Sequence, residues 1–341
     1  MSKKYLAIVE GEDMEPEILE YALSTYYGFN VLRADNRLSS LPLGFKKTLI
    51  YDGNDEFYIV QGRRNRIKEL LKETLEETHS SIERAFSNEN FAGIFLVYDV
   101  DHNSNEEIEE ARGRFNNISD GLLTLSVPCV ECVLEKDFEP YVSSSYKGYK
   151  TAKNEWCMEQ AGASSKEFIK YEFNRLMIEN LLRNKRVFAK ESLPEPNDVS
   201  LHGEYSLDLN ARYNIRTGRS EKDYRVEISY YASVLYLILL HVKGHARYSD
   251  SFDSLLVFFY SKQREIEKRE EGIALDFIGG ENLSLKNLES LAGDKGFANY
   301  LLHKFSRYGF VRKENGKERE VAMSPKEIKD FYEERLSSLA V

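Results

Sequence analysis

The chain has 341 residues, of which 42% are hydrophobic and 30% are charged, a composition typical of a globular protein with two or three domains. Its three cysteines (Cys129, Cys132 and Cys157) are too few for a disulfide framework, which favours a reducing, intracellular setting. The net charge is −10, and residues 1–145 carry 15 Lys and Arg against 27 Asp and Glu. Because phosphate contacts need cations, the first half is poorly suited to be a nucleic-acid surface.

The sequence predicts a cytoplasmic protein without a membrane partner. The first residues, Met-Ser-Lys-Lys-Tyr, lead straight into an apolar run without a signal-peptide pattern. The best membrane candidate, residues 228–242, is shorter than the roughly 20 residues needed to cross a bilayer, so a buried helix is predicted there. Cys129 and Cys132 form a weak zinc motif; no second pair follows, which favours structural or incidental cysteines.

The first elements along the chain alternate between strand and helix. Residues 4–9 (KYLAIV) predict a buried strand that ends at Glu10. A helix beginning near Asp13 follows, with Pro16 in its first turn, and residues 29–32 predict a second strand.

A hairpin and a long helix are predicted next. Residues 48–51 and 56–60 flank a turn sequence at 52–54, which indicates a β-hairpin. Apolar residues at helical spacing predict one long amphipathic helix over residues 64–86.

The most apolar strand of the chain covers residues 93–98 and is closed by Asp99-Val100-Asp101. A polar helix follows, then a buried strand at residues 122–127, after which Pro128 opens another helix. Apolar strands without alternation, separated by helices, predict an α/β fold with a parallel sheet covered by helices on both faces.

Three consecutive domains are predicted. Residues 1–145 form the parallel-sheet domain, and residues 146–275 form a mainly helical domain with a β-hairpin at 201–215, where apolar residues alternate. Residues 276–341 read helix, helix, hairpin and helix, the layout of a winged helix. That segment holds 11 Lys and Arg against 11 Asp and Glu, which does not favour DNA binding over protein contact.

A divalent-metal site is predicted at Glu10, Asp99 and Asp101. In an open parallel sheet ligands bind beyond the carboxyl ends of the strands, where all three acids emerge. Hard oxygen ligands select Mg²⁺ or Mn²⁺ over zinc. Solvated loop acids are the alternative, but two acidic motifs, each directly after an apolar strand, favour the metal site.

These motifs resemble a known domain. Val9-Glu10-Gly11 before a helix and Asp99-Val100-Asp101 after a strand are similar to the Toprim domain of topoisomerases, bacterial primases and several nucleases. Within that group, residues 8–16 resemble the opening of RloB-like proteins and of overcoming-lysogenization-defect (OLD) nucleases. Residues 126–131 resemble a Pro-Cys-x-Glu segment of RloB-like proteins, and the motifs are also similar to those expected of the Toprim effector AriB of PARIS phage-defence systems.

The resemblance covers about residues 4–140 and implies a function. It implies a metal-dependent endonuclease of antiviral defence that cleaves RNA, tRNA included, or DNA. The sequence contains no P-loop, so the ATPase that accompanies OLD nucleases is expected to be a separate partner protein. A homodimer is a further expectation.

Roles for individual acids follow from the resemblance. Glu10 would be a metal ligand or general acid/base, and Asp99 and Asp101 would bind the metal. Glu15 and Glu131 would ligate the same ion or a second one. For these last two, first-turn acids that complement a helix dipole remain an equal alternative.

Phosphate oxygens also need cations. Lys136, one turn beyond Glu131, is the candidate at the catalytic site. Two basic stretches are candidates for holding the nucleic-acid backbone: Arg63, Arg64 and Arg66, and then Arg183, Lys185 and Arg186. The first stretch begins a helix with acids downstream and fits a solvated face equally well.

Two other functions stay open. In one, the Toprim-like fold is a non-enzymatic scaffold and residues 276–341 mediate assembly, which the acidic first half fits as well as it fits a nuclease. In the other, the chain is a winged-helix DNA-binding regulator, which the neutral charge of that segment argues against.

Overall fold

The computed structural model describes most of the chain. The described residues are 2–47, 54–62, 66–72, 74–86, 89–99, 103–126, 130–134, 141–142, 146–190, 225–226, 252–280, 282–313 and 319–339. They form two compact units: unit 1 comprises Met1–Lys150 and Glu179–Leu255, and unit 2 comprises Thr151–Ile178 and Leu256–Val341. The units are interleaved along the chain, whereas the three predicted domains are consecutive ranges.

Unit 1 is built on a seven-stranded sheet. Its strands are β1 (Lys4–Val9), β2 (Asn30–Arg37), β3 (Phe45–Lys47), β4 (Glu56–Gln61), β5 (Gly93–Asp99), β6 (Asn116–Asn117) and β7 (Gly121–Ser126). They lie in the order β3-β2-β4-β1-β5-β7-β6. The five central strands are parallel, and the two edge strands are antiparallel to their neighbours.

The sheet is covered on both of its faces. All seven residues of β5 are buried, and neighbouring side chains in a strand point to opposite faces. The prediction of an α/β fold with a mostly parallel sheet is therefore confirmed. The helical segments of this region are α1 (Met14–Tyr21), a π-helical stretch (Ala22–Tyr26), α2 (Ile67–Leu70), α3 (Leu75–Ala85), α4 (Asn105–Arg114) and a 3₁₀ helix (Val130–Leu134).

The single long helix predicted over residues 64–86 is wrong, because two helices lie there. The Thr74 hydroxyl accepts a hydrogen bond from the amide of Glu77 at 3.1 Å, and the Glu77 carboxylate accepts one from the amide of Thr74 at 2.7 Å. This reciprocal capping box starts α3 as a new helix. The sequence contains this Thr-x-x-Glu signature at residues 74–77, but the apolar periodicity continues through it and favours one continuous helix.

The predicted β-hairpin at residues 48–60 is also wrong. Strand β4 pairs in parallel with β2 on one side and with β1 on the other, while β3 pairs with the far edge of β2. Strands β3 and β4 therefore do not face each other, and residues 48–51 lie outside the described residues. Strand β2 extends to Arg37, beyond its predicted end at residue 32.

The strand order creates a topological switch between β1 and β5. The chain leaves β1 towards β2 on one side of the sheet, and it leaves β5 towards β7 on the other side. The loops that follow these two neighbouring strands therefore diverge, which opens a crevice at their carboxyl ends. Crevices of this kind are the usual ligand sites of open α/β sheets.

The described residues after the first sheet are mainly helical. Their helices are α5 (Tyr146–Ala161), α6 (Ser165–Lys190), α7 (Phe252–Gly279), α8 (Leu285–Ala292), α9 (Lys295–Arg307) and α10 (Pro325–Ser338). Two antiparallel strand pairs accompany them: β8 (Tyr141–Val142) with β9 (Arg225–Val226), and β10 (Val311–Lys313) with β11 (Arg319–Val321). From α8 onwards the order is helix, helix, strand pair and helix, as predicted; the winged-helix fold itself stays a prediction.

Unit 2 encloses a lysine between two glutamates. Lys304 of α9 donates a hydrogen bond to Oε1 of Glu172 at 2.7 Å and lies 2.8 Å from Oε2 of Glu270. All three side chains are buried, and the Tyr300 hydroxyl also donates to Glu172. Burial of such charges costs free energy unless they are paired and hydrogen-bonded, which these are.

A second ion pair extends this buried network. The Arg335 guanidinium of α10 donates two hydrogen bonds to the Glu267 carboxylate of α7, at 2.6 and 3.0 Å. Gln263 donates to the same carboxylate at 3.1 Å, and Asn174 of α6 donates to Gln263 at 3.0 Å. The network thus joins α6, α7, α9 and α10 through directed bonds as well as apolar packing.

Several predictions fall on residues for which no structure is described. They concern the hairpin at 201–215, the apolar segment 228–242 and the side chains of Cys129 and Cys132. Within the part of the chain that is described, no helix is both long and apolar enough to cross a membrane.

Candidate metal centre

Glu10 and Asp99 meet at the switch crevice. Glu10 follows β1 directly, and its amide donates to the carbonyl of Val97 in β5 at 2.9 Å. Its carboxylate Oε2 in turn accepts a hydrogen bond from the backbone amide of Asp99 at 2.9 Å. The pairing of β1 with β5 therefore holds the two acids side by side, as predicted from the sequence.

Glu15 points back towards the same loop. It lies in the first turn of α1 and is buried. Its carboxylate is so close to Gly11 that a Cβ added to the glycine would lie 1.9 Å from Oε2. Burial against this loop places the Glu15 carboxylate beside the backbone that follows Glu10, which leaves both of its predicted roles open. Glycine at position 11 is what leaves room for this carboxylate.

Two buried oxygens at the end of β7 complete the cluster. Ser126 is the register partner of Asp99, and its hydroxyl has no hydrogen-bond partner among the described residues. Glu131, in the 3₁₀ helix that follows, is 4% exposed, and its Oε2 also lacks a hydrogen-bond partner among the residues with described positions. Leaving a buried polar atom without a partner costs about 1–3 kcal/mol, so such atoms indicate a site for a ligand.

A lysine links Asp99 to Glu131. The Nζ of Lys150, in the second turn of α5, lies 3.9 Å from Oδ2 of Asp99 and 3.9 Å from Oε2 of Glu131. The two carboxylates are therefore no further apart than twice that distance. Both are almost fully buried, whereas the Lys150 side chain is 38% exposed.

Hydrogen bonds to the backbone steady the loops that carry these acids. Gln61, at the end of β4, donates to the carbonyl of Glu10 at 3.4 Å. The Asn103 amide donates to the carbonyl of Asp99 at 3.4 Å and accepts from the amide of Lys68 at 3.2 Å. The loop after β5 is thereby tied to the start of α2.

The described residues at this crevice carry oxygen atoms of the type that a hard divalent cation prefers, but their positions do not form a metal-binding group. Glu10, Glu15, Asp99 and Glu131 supply carboxylate oxygens, the ligands that Mg²⁺ and Mn²⁺ prefer, and two buried oxygens nearby lack donors. Among the described residues, no group of three or more Asp, Glu, His or Cys has converged to metal-binding geometry. Asp101 lies outside those residues.

The remaining predicted site residues are the basic ones, which were expected to contact phosphate. Lys136, Arg63 and Arg64 lie outside the described residues. Arg66 is exposed at the start of α2. Arg183 is fully buried in α6; a buried guanidinium cannot reach a phosphate backbone at the surface, so its predicted nucleic-acid contact is corrected.

The other two residues of that basic stretch suit a surface contact better. Arg186 is exposed and Lys185 is half-buried near the end of α6. Lys185 and Arg186 therefore remain the candidates of this basic stretch for contact with nucleic acid.

The sequence analysis missed Ser126 and Lys150. Ser126 carries a recognisable signal, because it is the polar residue that ends an apolar strand at the same edge as Asp99. Lys150 carries none, because it is one of several lysines in a helix after the sheet.

Comparison of the chain with protein-family models, curated proteins and solved structures gives no match. Assignment of a function therefore depends on the chemistry of the cluster and on the short motifs that carry it.

Proposed function

We propose that unit 1 is a Mg²⁺- or Mn²⁺-dependent endonuclease that cleaves the phosphodiester bonds of RNA or DNA. The observation that carries the proposal is the convergence of Asp99 and Glu131 on one cation, Lys150, at the crevice between β1 and β5. Buried acids that face one point favour a bound cation over a solvated loop. The likeness of the acidic motifs to those of Toprim nucleases supports phosphodiester chemistry.

The residues that would hold the metal are Glu10, Glu15, Asp99 and Glu131, together with Asp101. A metal bound there would neutralise charge on a phosphate and activate water for attack. A single Mg²⁺ is usually held by one or two carboxylates together with waters and substrate phosphates, so these residues would be enough for one ion or for two.

The chain itself would supply the other catalytic functions. Glu10 is the residue proposed to move a proton, since its carboxylate is half-buried beside Asp99 and already accepts a hydrogen bond. Lys150 replaces Lys136 as the proposed phosphate contact among the described cations, because its ammonium is partly exposed at the acids. A positioned cation of this kind stabilises negative charge that develops on phosphate oxygens.

Binding of the nucleic acid would depend on other parts of the chain. Residues 1–145 are strongly acidic, so phosphate contacts must come from local basic groups. Exposed Arg66 and Arg186, together with half-buried Lys185, are the proposed contacts within the described residues. The wider proposal, an antiviral effector that works with a separate ATPase and forms a homodimer, rests on the motif resemblance alone.

A cleavage assay tests the proposal. Purified full-length protein is incubated with tRNA, single-stranded RNA and supercoiled plasmid in Mg²⁺, in Mn²⁺ and in EDTA. We expect metal-dependent cleavage that Asp99→Asn abolishes and that Asp35→Asn retains, because Asp35 is an exposed acid of β2, away from the cluster. Metal-loaded wild-type protein that cleaves none of these substrates, alone or with the products of neighbouring genes, would exclude the nuclease.

The charge of the first half favours one alternative. A non-enzymatic scaffold does not need to bind nucleic acid, so the acidic charge of residues 1–145 does not oppose this function. It predicts that Asp99→Asn has no cellular phenotype while substitutions in residues 276–341 disrupt complex formation. Toxicity of the wild-type protein on expression, lost in Glu10→Ala, would decide for the enzyme.

A further inference from the structure

Helix α9 of unit 2 divides its side chains between a buried face and an exposed one. The buried face holds the residues Phe297, Ala298, Tyr300, Leu301, Leu302, Lys304 and Phe305. The exposed residues recur every three or four positions and therefore form one stripe along the helix: Lys295, Asn299, His303, Ser306 and Arg307. At 1.5 Å per residue, the stripe is about 18 Å long.

The sequence of α9 contains no acid, although the segment around it is neutral overall. Asp294 caps the helix and is occupied there, because it accepts hydrogen bonds from the amide of Phe297 at 2.6 Å and from the hydroxyl of Tyr171 at 3.2 Å. Helix α10 instead holds four acids: Glu327, Asp330, Glu333 and Glu334. The neutral sum over residues 276–341 therefore does not describe the surface of α9.

The two cations of the stripe keep their charge. Nη1 of Arg307 donates to the backbone carbonyl of Gln160 at 2.9 Å, and its guanidinium lies over the ring of Tyr308, 5.6 Å from the centroid. These contacts hold the group in place but do not neutralise it. Neither Arg307 nor Lys295 forms an ion pair with a residue whose position is described.

The turn between α5 and α6 borders the stripe without adding charge where it touches it. Gly162 of that turn lies against His303, so close that a Cβ would lie 2.7 Å from Nδ1 of the imidazole. Its φ of +60° is also one that favours glycine. The His303 side chain nevertheless stays exposed, as does Asn299 one turn before it.

An exposed helix with these side chains matches the major groove of duplex DNA. That groove is about 12 Å wide and admits an α-helix, whereas the major groove of duplex RNA is too narrow to be read by side chains. Lys295 and Arg307, at the two ends of the stripe, suit phosphates. Asn299 and His303, between them, carry donors and acceptors that suit base edges.

We infer that α9 is a docking helix for double-stranded DNA and places this stripe in the major groove. Residues 1–145 carry 15 Lys and Arg against 27 Asp and Glu, so a DNA duplex is repelled from most of unit 1 and needs a surface elsewhere. The inference goes beyond the proposed cleavage by unit 1 and does not depend on it, because binding at α9 needs no metal.

Fluorescence anisotropy of a labelled DNA duplex tests the inference, with full-length protein in EDTA. Wild type is compared with the double variant Lys295→Gln/Arg307→Gln. We expect the Kd of the variant to be about tenfold higher or more, because two phosphate contacts are lost. The slope of log Kd against log salt should fall by about two.

The matched control is Lys326→Gln/Lys329→Gln. Both lysines are exposed on α10, so this variant loses the same charge away from the stripe and is expected to bind as wild type does. Arg307→Lys keeps the charge and is expected to stay close to wild type, which separates charge from the packing of Arg307. Fluorescence of Trp156, in unit 2, confirms that each variant is folded.

Three results would overturn the inference. The first is wild-type protein that does not bind the DNA duplex, or binds an RNA duplex of the same sequence equally well. The second is a stripe variant with wild-type affinity, which would place the DNA elsewhere on the chain. The third is equal weakening in the α10 control, which would mean that net charge sets the affinity. Since EDTA removes divalent metal, each of these results leaves the proposed nuclease standing, and failure of cleavage leaves the docking helix standing.

Discussion

Replacement of Glu270 by Gln is expected to remove a pH dependence from the stability of unit 2. Burial raises the pKa of Glu270 from 4.5 to about 7, and the nearby carboxylates of Glu172 and Glu267 act in the same direction. The ammonium of Lys304 opposes this rise without cancelling it. The folded protein therefore favours protonated Glu270 at a pH where an exposed glutamate is ionised.

The sign and size of the effect follow from this raised pKa. A group whose pKa is higher in the folded state stabilises it fully below the unfolded pKa, near 4.5, and loses that contribution as pH rises through about 7. At 1.36 kcal/mol per pKa unit, most but not all of the shift is felt between pH 5 and 7.5, and the loss over that range is about 2.4 kcal/mol. The pKa values of Glu172 and Glu267 are lowered, so their contributions vary below about 4.5, outside this window.

Tryptophan fluorescence provides a local assay for unit 2. Trp156 is the one tryptophan of the sequence, lies in unit 2 and packs edge-on against Phe168 with ring centroids 5.6 Å apart. Urea unfolding curves at pH 5 and pH 7.5 give the free energy of unfolding of wild type and of Glu270→Gln. We expect wild type to lose about 2.4 kcal/mol more than the variant between the two pH values.

An exposed acid of the same helix serves as the control. Glu265 is exposed on α7, so Glu265→Gln is expected to keep the wild-type pH dependence. An equal pH dependence in wild type and Glu270→Gln would refute the reasoning, because it would show that Glu270 does not change protonation in this window.

Two further substitutions test the metal centre. Gly11→Ala would place a Cβ 1.9 Å from the Glu15 carboxylate and displace it, so the rise in Tm caused by Mn²⁺ should be largely lost in differential scanning fluorimetry. Gly113→Ala, whose Cβ would have no neighbour within 4 Å, should keep that rise. Ser126→Ala should leave metal-free stability within about 1 kcal/mol of wild type, because the hydroxyl has no hydrogen-bond partner among the described residues, but should weaken Mn²⁺ binding. A large loss of metal-free stability would show that the hydroxyl has a structural partner instead.

The parallel sheet and the meeting of two acids could be predicted from the sequence. Apolar runs at residues 4–9 and 93–98 identify strands buried on both faces, and polar residues directly after such strands lie at one edge. The sequence therefore predicts that Glu10 and Asp99 lie side by side, and the hydrogen bond from the amide of Asp99 to the carboxylate of Glu10 confirms it. The same rule would have found Ser126, had the end of the next strand been considered.

The errors arose where local pattern and tertiary pairing compete. Apolar runs do not say which strands are neighbours, so β4 was assigned to a hairpin although it pairs in parallel with β1 and β2. Helical periodicity continued through Thr74, where a capping box begins a new helix. The charge of a residue does not reveal whether it is buried. The sequence therefore predicts a surface contact at Arg183, whereas its side chain is buried in the structure.

Within the described residues, Lys150 and Lys304 each lie between two acids, and the two arrangements differ. Lys304 is 3% exposed and lies 2.7 and 2.8 Å from its two glutamates, so those carboxylates are closed around the ammonium. Lys150 is 38% exposed and lies 3.9 Å from an oxygen of each of its acids. This wider spacing at Asp99 and Glu131 is what the proposed function needs, because a divalent cation could be ligated by these two carboxylates, whereas Glu172 and Glu270 are already hydrogen-bonded to their lysine.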